Sequence, residues 1–381
     1  MSRKVVVALA IGASALCALT ACSSSPSSSS ASSGASSSSS SSSSAAGGAS
    51  AIVGSSTFND ANLQALTAKI HSALSGKSLS GVKIAMVTNG NASYWLEAKA
   101  GWNAAMATLK GATGTFEEPS ASTASTQVSL LDTLSAQGYS WGVSAVEAQS
   151  LTTPIAQAVA KGLNVVAYDS SLPGTKAQMY IGTPNTTAGC DAGTAMKQAI
   201  GSGDVVAISG SLTASNTQQR VAGFKSCMGS GIKVIQVLND DQDSATTVSD
   251  LQSALQSNSS IKGIYAVYSY EGGPAATAVS SAGKTGKVTV VSDDGEAETI
   301  SDVQAGTIAA SILQRPYFQG YMLALVLAAD KVLGDSATLA LVKPYFASGM
   351  PGTLSTGVGI MTKANVSDFT SFWKSIGLKS Q

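Results

Sequence analysis

The sequence predicts an α/β protein of two lobes with parallel sheets, and three observations carry that expectation. Apolar, β-branched runs of strand length alternate with helical-period segments along the chain after residue 80, a pattern that builds parallel sheets covered by helices on both faces. Roughly 330 residues follow from Ala51 onward, enough for two cores of ordinary size. Polar and aromatic residues recur just after the strands, where open α/β sheets keep their ligand crevice.

An amphipathic segment at 62–74 opens this part of the chain. Val82-Lys83-Ile84-Ala85-Met86-Val87-Thr88 then reads as a buried strand that stops at the turn Asn89-Gly90. Further strands are expected at 141–146, 165–168, 205–209, 234–237, 264–268 and 288–291. Helices are expected between them at 95–109, 154–161, 217–228, 246–256 and 274–282.

Ahead of this body, Arg3 and Lys4 precede an apolar stretch at 5–19 that closes on Leu19-Thr20-Ala21-Cys22. The segment resembles a bacterial lipoprotein signal, which implies cleavage after residue 21, lipidation of Cys22 and a protein held outside the cell membrane. An uncleaved membrane helix is the alternative, but the run is shorter than the ~20 residues a span needs. Residues 23–50 are almost entirely Ser, Ala and Gly, with one proline, Pro26. Such a stretch cannot offset the entropy of ordering and reads as a flexible tether with an r.m.s. span of roughly 30 Å. A leading helix and linker would occupy 51–80.

Lys+Arg and Asp+Glu both total 22, and only 12% of residues are charged, so no footprint for nucleic acid or acidic polymers exists and a neutral ligand is favoured. Besides Cys17 and Cys22, the chain holds Cys190 and Cys227; an oxidising exterior makes these two disulfide candidates, with two isolated buried thiols as the alternative.

The residues after the strands are aromatic rings, carboxylates and amides: Asn91, Ser93, Tyr94 and Trp95; Asp169 and Ser170; Asn216, Gln218 and Arg220; Asp241 and Gln242; Tyr268 and Tyr270; Asp293 and Asp294; and Gln314. Flat rings stack on the C–H face of a sugar, and carboxylates and amides bond its hydroxyls. Caps and turn formers at loop starts account for any one of them equally well.

From about Val82 to Trp373 the chain resembles the type I periplasmic sugar-binding proteins that serve ABC importers. The pieces that carry the likeness are Asn91-Ala92-Ser93-Tyr94-Trp95 with Gly101, Val165-Val166-Ala167-Tyr168-Asp169, Tyr180-Ile181-Gly182-Thr183-Pro184-Asn185, Arg220-Val221-Ala222-Gly223-Phe224, and the segments 288–295 and 308–316. The resemblance implies a periplasmic-binding-protein type I fold with a hinge and an interlobe cleft. The first lobe would span 81–183 with 315–345, and the second 184–314 with 346–381. Crossovers would lie near 182–185, 313–316 and 345–349.

It also implies Tyr94 and Trp95 as stacking platforms, Asn91 beside them and Asp169 as a hydroxyl acceptor. From the second lobe it implies Asn216, Gln218, Gln242, Tyr268, Asp294 and Gln314. Gln218 and Ser170 stand where the family often has arginines, and Gln242 where it has an aromatic; these departures argue against ribose itself.

Catalytic readings find little to stand on. Asp293 and Asp294 are strand neighbours, which point to opposite faces and cannot flank one bond. Gly283-Lys284-Thr285 echoes a phosphate loop, but Ala278 stands where that motif needs its first glycine. His71 is the sole histidine, so a His-based triad or multi-His metal site is excluded. No G-x-S-x-G elbow occurs, and a basic helix-turn-helix module, as in repressors of related fold, is replaced by the lipoprotein signal. The sequence therefore predicts a monomeric extracytoplasmic binding lipoprotein, without cofactor, metal or nucleic acid, that delivers a sugar-like ligand to an ABC permease. The alternative is a lipid-anchored sensor that presents bound ligand to a membrane receptor.

Overall fold

The computed structural model describes residues 61–378. The lipoprotein signal, Cys22 and the Ser-rich tether all lie outside these residues. Among the described residues no helix is long and apolar enough to cross a membrane.

The first lobe opens with α1 (Ala61–Leu74) and continues β1 (Lys83–Val87), α2 (Tyr94–Thr108), β2 (Thr113–Glu117), α3 (Ala124–Ala136), β3 (Ser140–Val143), α4 (Thr152–Ala160), β4 (Val165–Tyr168) and β5 (Tyr180–Gly182). The chain then crosses into the second lobe: α5 (Asn185–Ile200), β6 (Gly203–Ser209), α6 (Ser215–Cys227), β7 (Ile232–Asn239), α7 (Ser244–Ser257), β8 (Ile261–Ala266), α8 (Gly272–Ser281), β9 (Thr289–Asp293), α9 (Ala297–Ala305) and β10 (Ile308–Leu313). It returns for α10 (Pro316–Leu333), α11 (Asp335–Val342) and β11 (Thr353–Ser355), and ends in the second lobe with β12 (Gly359–Met361) and α12 (Val366–Ser375).

Each lobe holds one six-stranded sheet, in the order β11-β5-β4-β3-β1-β2 for the first and β12-β10-β9-β8-β6-β7 for the second. Every pairing is parallel except β10 with β12, which runs antiparallel. In each sheet the order reverses beside the first strand, so β1 and β6 mark the crevice where a doubly wound sheet binds its ligand. The central strands are buried on both faces: every residue of β3 and β4 is buried, and β4 reads as a continuous apolar run, because helices cover each side. Edge strand β2 is only half-buried, and its weaker apolar pattern hid it from the sequence reading.

One boundary differs from expectation. β11 pairs with β5 in the first sheet, so the third passage between lobes runs through 356–358 rather than near Tyr345 to Gly349. The segment 346–355 therefore sits with the first lobe, because β11 pairs with β5 and the loop before it closes on itself, the Ala347 N–H donating to the Thr353 carbonyl.

Two helix pairs carry the ligand-facing elements, and both pack backbone to backbone at glycines. In the first lobe a Cβ on Gly101 of α2 would sit 1.8 Å from the Tyr317 carbonyl of α10, and one on Gly320 would sit 2.1 Å from the Ala98 carbonyl. In the second, a Cβ on Gly189 of α5 would meet the Arg220 carbonyl of α6 at 1.9 Å, and one on Gly223 the Thr186 carbonyl at 2.2 Å. One residue beyond Gly189, Cys190 is bonded to Cys227 with a Cα–Cα separation of 5.0 Å, the disulfide the two cysteines had suggested.

Candidate functional site

At the carboxyl ends of β1, β4, β6, β8 and β9 the two lobes face each other across a cleft of about 460 Å³. Tyr94 and Trp95 open α2 from the first lobe, because the chain after β1 must turn at Asn89-Gly90 before the helix begins. Trp95 is held edge-on between Tyr94 and Tyr168, with ring centroids at 4.8 and 5.9 Å. Packing on both sides fixes this ring before any ligand arrives.

Asp169 ends β4 and is buried. Its carboxylate accepts from Ser144 Oγ at 2.8 Å and Tyr94 Oη at 3.1 Å, neutral donors that orient it without cancelling its charge. Burial raises its pKa above the ordinary value, while Ser144 and Arg220 pull it back.

The second lobe answers with charge. Arg220 of α6, 1% exposed, donates through Nε to Asn185 Oδ1 at 2.9 Å and through Nη1 to the Val267 carbonyl at 2.9 Å and Asp293 Oδ2 at 3.0 Å. Burial works against this cation, but Asp293 and Asp294 hold its pKa above the ordinary value. Its Nη2 is buried without a hydrogen-bond partner, and the residue lines the cleft. A buried charged donor left unpaired costs free energy that a ligand acceptor would recover.

Asp294 follows β9. Both its oxygens accept from Gln314, from the backbone N–H at 3.0 Å and from Nε2 at 2.8 Å. Burial pushes its pKa up to about 6 against the pull of Arg220 and Gln314. Gln314 Oε1 in turn accepts from Thr183 Oγ1 at 2.8 Å, which ties the two hinge passages at 183–184 and 314–315 to this carboxylate. Asp293 faces the other way, toward Arg220 and Tyr265, as strand alternation requires.

Tyr268 and Tyr270 close the second-lobe wall. The Tyr268 hydroxyl bonds Thr217 Oγ1 at 3.0 Å and Asn216 Oδ1 at 3.2 Å, and burial pushes its pKa up to about 12. Tyr270 Oη donates to Asp240 Oδ1 at 2.6 Å. Non-glycine residues with left-handed backbone are Asp169 (φ 58°), Asp241 (φ 53°), Gln242 (φ 63°) and Asp294 (φ 62°). All four sit on loops leaving strand ends, and three of them line the cleft. Such strain of about 1–3 kcal/mol each persists where a site demands it.

The structure thus brings Tyr94, Trp95, Asp169, Asn216, Gln242, Tyr268, Asp294 and Gln314 into one lining. Two expected residues are not in it. Asn91 is exposed, and Asn89 at the strand end lines the cleft in its place. Gln218 is exposed on the outer side of α6, with Nε2 donating to the Leu212 carbonyl at 3.3 Å; helical periodicity turns it away when Arg220 faces inward. Arg220, which the sequence places among the polar residues after a strand but the resemblance leaves outside the ligand set, lines the cleft too.

Residues 82–332 match the model of the periplasmic binding protein domain, and the chain belongs to that family, in its type I sugar-binding branch. Its members bind solutes and do not transform them. The D-allose-binding periplasmic protein of Escherichia coli is 28% identical over 235 residues, which cover 58% of this chain and 76% of that one. A solute-binding protein of an ABC transporter from Burkholderia graminis, solved in complex with D-arabinose, is 28% identical with a TM-score of 0.69 over 76% of this chain and 98% of its own. XylFII, solved in complex with LytSN, is 25% identical with a TM-score of 0.64 over 74% and 99% of the two chains.

Proposed function

We propose that this protein captures a neutral monosaccharide between its lobes and, held to the outer face of the membrane by lipid on Cys22, delivers it to an ABC permease. One observation carries the reading: a fixed indole edge, two oriented carboxylates from opposite lobes and an unpaired guanidinium N–H converge on one cleft. The indole supplies apolar contact, the carboxylates accept from hydroxyls, and Arg220 Nη2 donates to a ring or hydroxyl oxygen. An anionic ligand fits poorly, because Asp293 already balances Arg220 while Asp169 and Asp294 have no cation of their own.

Calorimetric titration against D-allose, D-ribose, D-arabinose and neutral polyols tests the reading. Asp169→Ala and Asp294→Ala should each weaken binding at least tenfold, at roughly 1–3 kcal/mol per hydroxyl left unpaired, and Trp95→Ala comparably through lost contact. His71→Ala, on a helix remote from the strand ends, should change nothing. Near-wild-type affinity in both aspartate variants would refute the cleft. Scattering with saturating ligand should show a smaller radius of gyration as a monomer closes about the hinge, and Cys22→Ala should release the protein from the membrane fraction.

That XylFII was solved in complex with a second protein, LytSN, favours a second reading, in which this protein presents bound ligand to a receptor in the membrane. Uptake of labelled ligand in cells lacking the protein separates the two: lost uptake supports delivery, and unchanged uptake with altered transcription supports sensing.

A further inference from the structure

Beside the cleft lies a second chamber of about 670 Å³, lined by Leu96 and Glu97 of α2, Ala297 and Ile300 of α9, Leu313 and Trp373. Tyr94, Ser269, Asp294 and Gln314 line both spaces, so the Asp294–Gln314 pair is a partition with the cleft on one side and the chamber on the other.

The chamber has walls of different chemistry from the cleft. Its polar groups satisfy one another: Trp373 Nε1 donates to Glu97 Oε2 at 2.7 Å, the Tyr317 N–H to Glu97 Oε1 at 3.4 Å, and Ser269 Oγ to Glu296 Oε1 at 3.1 Å. Both oxygens of Asp294 are engaged by Gln314. Apart from the Ser93 hydroxyl and the second Glu296 oxygen, what remains open is mainly apolar. Leu96 is 40% exposed, one of three large hydrophobic side chains left open among the described residues. The Trp373 ring is fixed at its nitrogen and lies over Gly295, where a Cβ would come within 2.5 Å of it. In the cleft, by contrast, Arg220 Nη2 waits for an acceptor.

We propose that the chamber is a second subsite that receives the apolar aglycone of a glycoside whose sugar ring sits in the cleft. The inference rests on the sugar reading above and adds to it the class of molecule carried: a sugar substituted at one position by an aromatic or aliphatic group. A second pyranose would find few free polar groups here beyond the Ser93 hydroxyl and one Glu296 oxygen, whereas a phenyl or alkyl group would displace water from Leu96, Ile300 and the Trp373 face.

The test is calorimetry of the full-length protein with D-allose, D-ribose, D-arabinose and D-galactose, each beside its α- and β-phenyl glycosides. For an aldose that binds, at least one phenyl glycoside should bind five-fold tighter or better. Ala297→Phe, which fills the chamber and touches no cleft residue assigned above, should abolish that gain while leaving the free aldose within twofold. Leu96→Ala should remove part of the gain. Free aldose bound with every phenyl glycoside equal or weaker overturns the subsite and leaves the sugar reading standing. A gain that survives Ala297→Phe also overturns it, because the aglycone then lies elsewhere. If neither aldoses nor glycosides bind, the sugar reading itself falls and the subsite falls with it.

Discussion

In the first lobe α2 carries the aromatics of the cleft and lies glycine to glycine on α10, the helix that follows a hinge passage; in the second, α6 carries Arg220 and lies the same way on α5, which follows the other passage. The contacts around these pairs differ. α10 is buried along most of its length, and Trp102, Met322, Leu323 and Val326 join a continuous apolar cluster with Trp95. α5 offers mainly alanines and Met196 against Phe224. The second lobe adds the Cys190–Cys227 disulfide and the Arg220–Asp293 ion pair. For its strand ends the first lobe uses a neutral amide, Gln127, which donates to the carbonyls of Thr88 and Ser144 and accepts from the Val146 N–H. Where large side chains fill a helix interface, amides and hydroxyls suffice to align a site. Where small ones fill it, covalent and ionic ties take over.

The largest expected effect comes from breaking the ionic tie. Arg220→Met should cost up to about 5 kcal/mol, since Asp293 would stay buried without its cation, against about 1–3 kcal/mol for Gln127→Leu. Urea unfolding reads both, and equal losses would erase the distinction between the lobes. Next, the Cys190→Ala/Cys227→Ala double variant should lose about 4 kcal/mol on the loop-entropy model. Hydrogen exchange should then show α5 and α6 opening before α2 and α10, and even protection would count against the contrast.

A smaller effect sharpens it. Gly101→Ala and Gly189→Ala each overpack a backbone contact at about 2–3 kcal/mol. Gly189→Ala should be the worse of the two while the disulfide stops α5 and α6 from moving apart, and reduction should remove the excess. If the two substitutions cost the same in oxidised and reduced protein, the disulfide does not clamp the helix pair.

The smallest effect concerns the contact between lobes. Glu97 on α2 meets Trp373 on α12, and burial pushes its pKa from 4.5 up to about 7, against the pull of Trp373 and the Tyr317 N–H, with Asp294 raising and Arg315 lowering it. The closed form therefore holds a proton that an opened, rehydrated Glu97 releases. The contribution to closure is complete below 4.5 and is lost as pH rises through about 7. Affinity should thus weaken as the pH rises from 5 to 8. Asp294, pushed up to about 6, acts in the same sense, so Glu97→Gln, which keeps an acceptor for Trp373, isolates the Glu97 share. A pH profile identical in wild type and Glu97→Gln would remove Glu97 from the account.

Much of this was legible in the chain. Buried parallel strands announce themselves because both faces must be apolar, which is why β1, β4 and β9 stand where the runs predicted. Asp169 and Asp294 were legible because each is a carboxylate placed directly after such a run. β2, β11 and β12 were not: the first is an exposed edge, and the others are three-residue strands whose partners lie far off in sequence. Arg220 and Gln218 could be told apart only by which face of α6 packs on Gly189, a fact of tertiary contact. The chamber at Trp373 has no sequence signature, because its walls come from both ends of the chain.

The left-handed backbones at 169, 241, 242 and 294 divide by what their side chains hold. Glycine at Asp241 or Gln242, both exposed, would relieve the local conformation, whereas at Asp169 or Asp294 it would leave Ser144, Tyr94 and Gln314 without a buried acceptor. A random library sorted on thermal survival alone should accumulate glycine at 241 and 242 and keep aspartate at the ends of β4 and β9. Domestication of this protein as a robust reagent would thus erode its recognition first at Gln242, which lines the cleft.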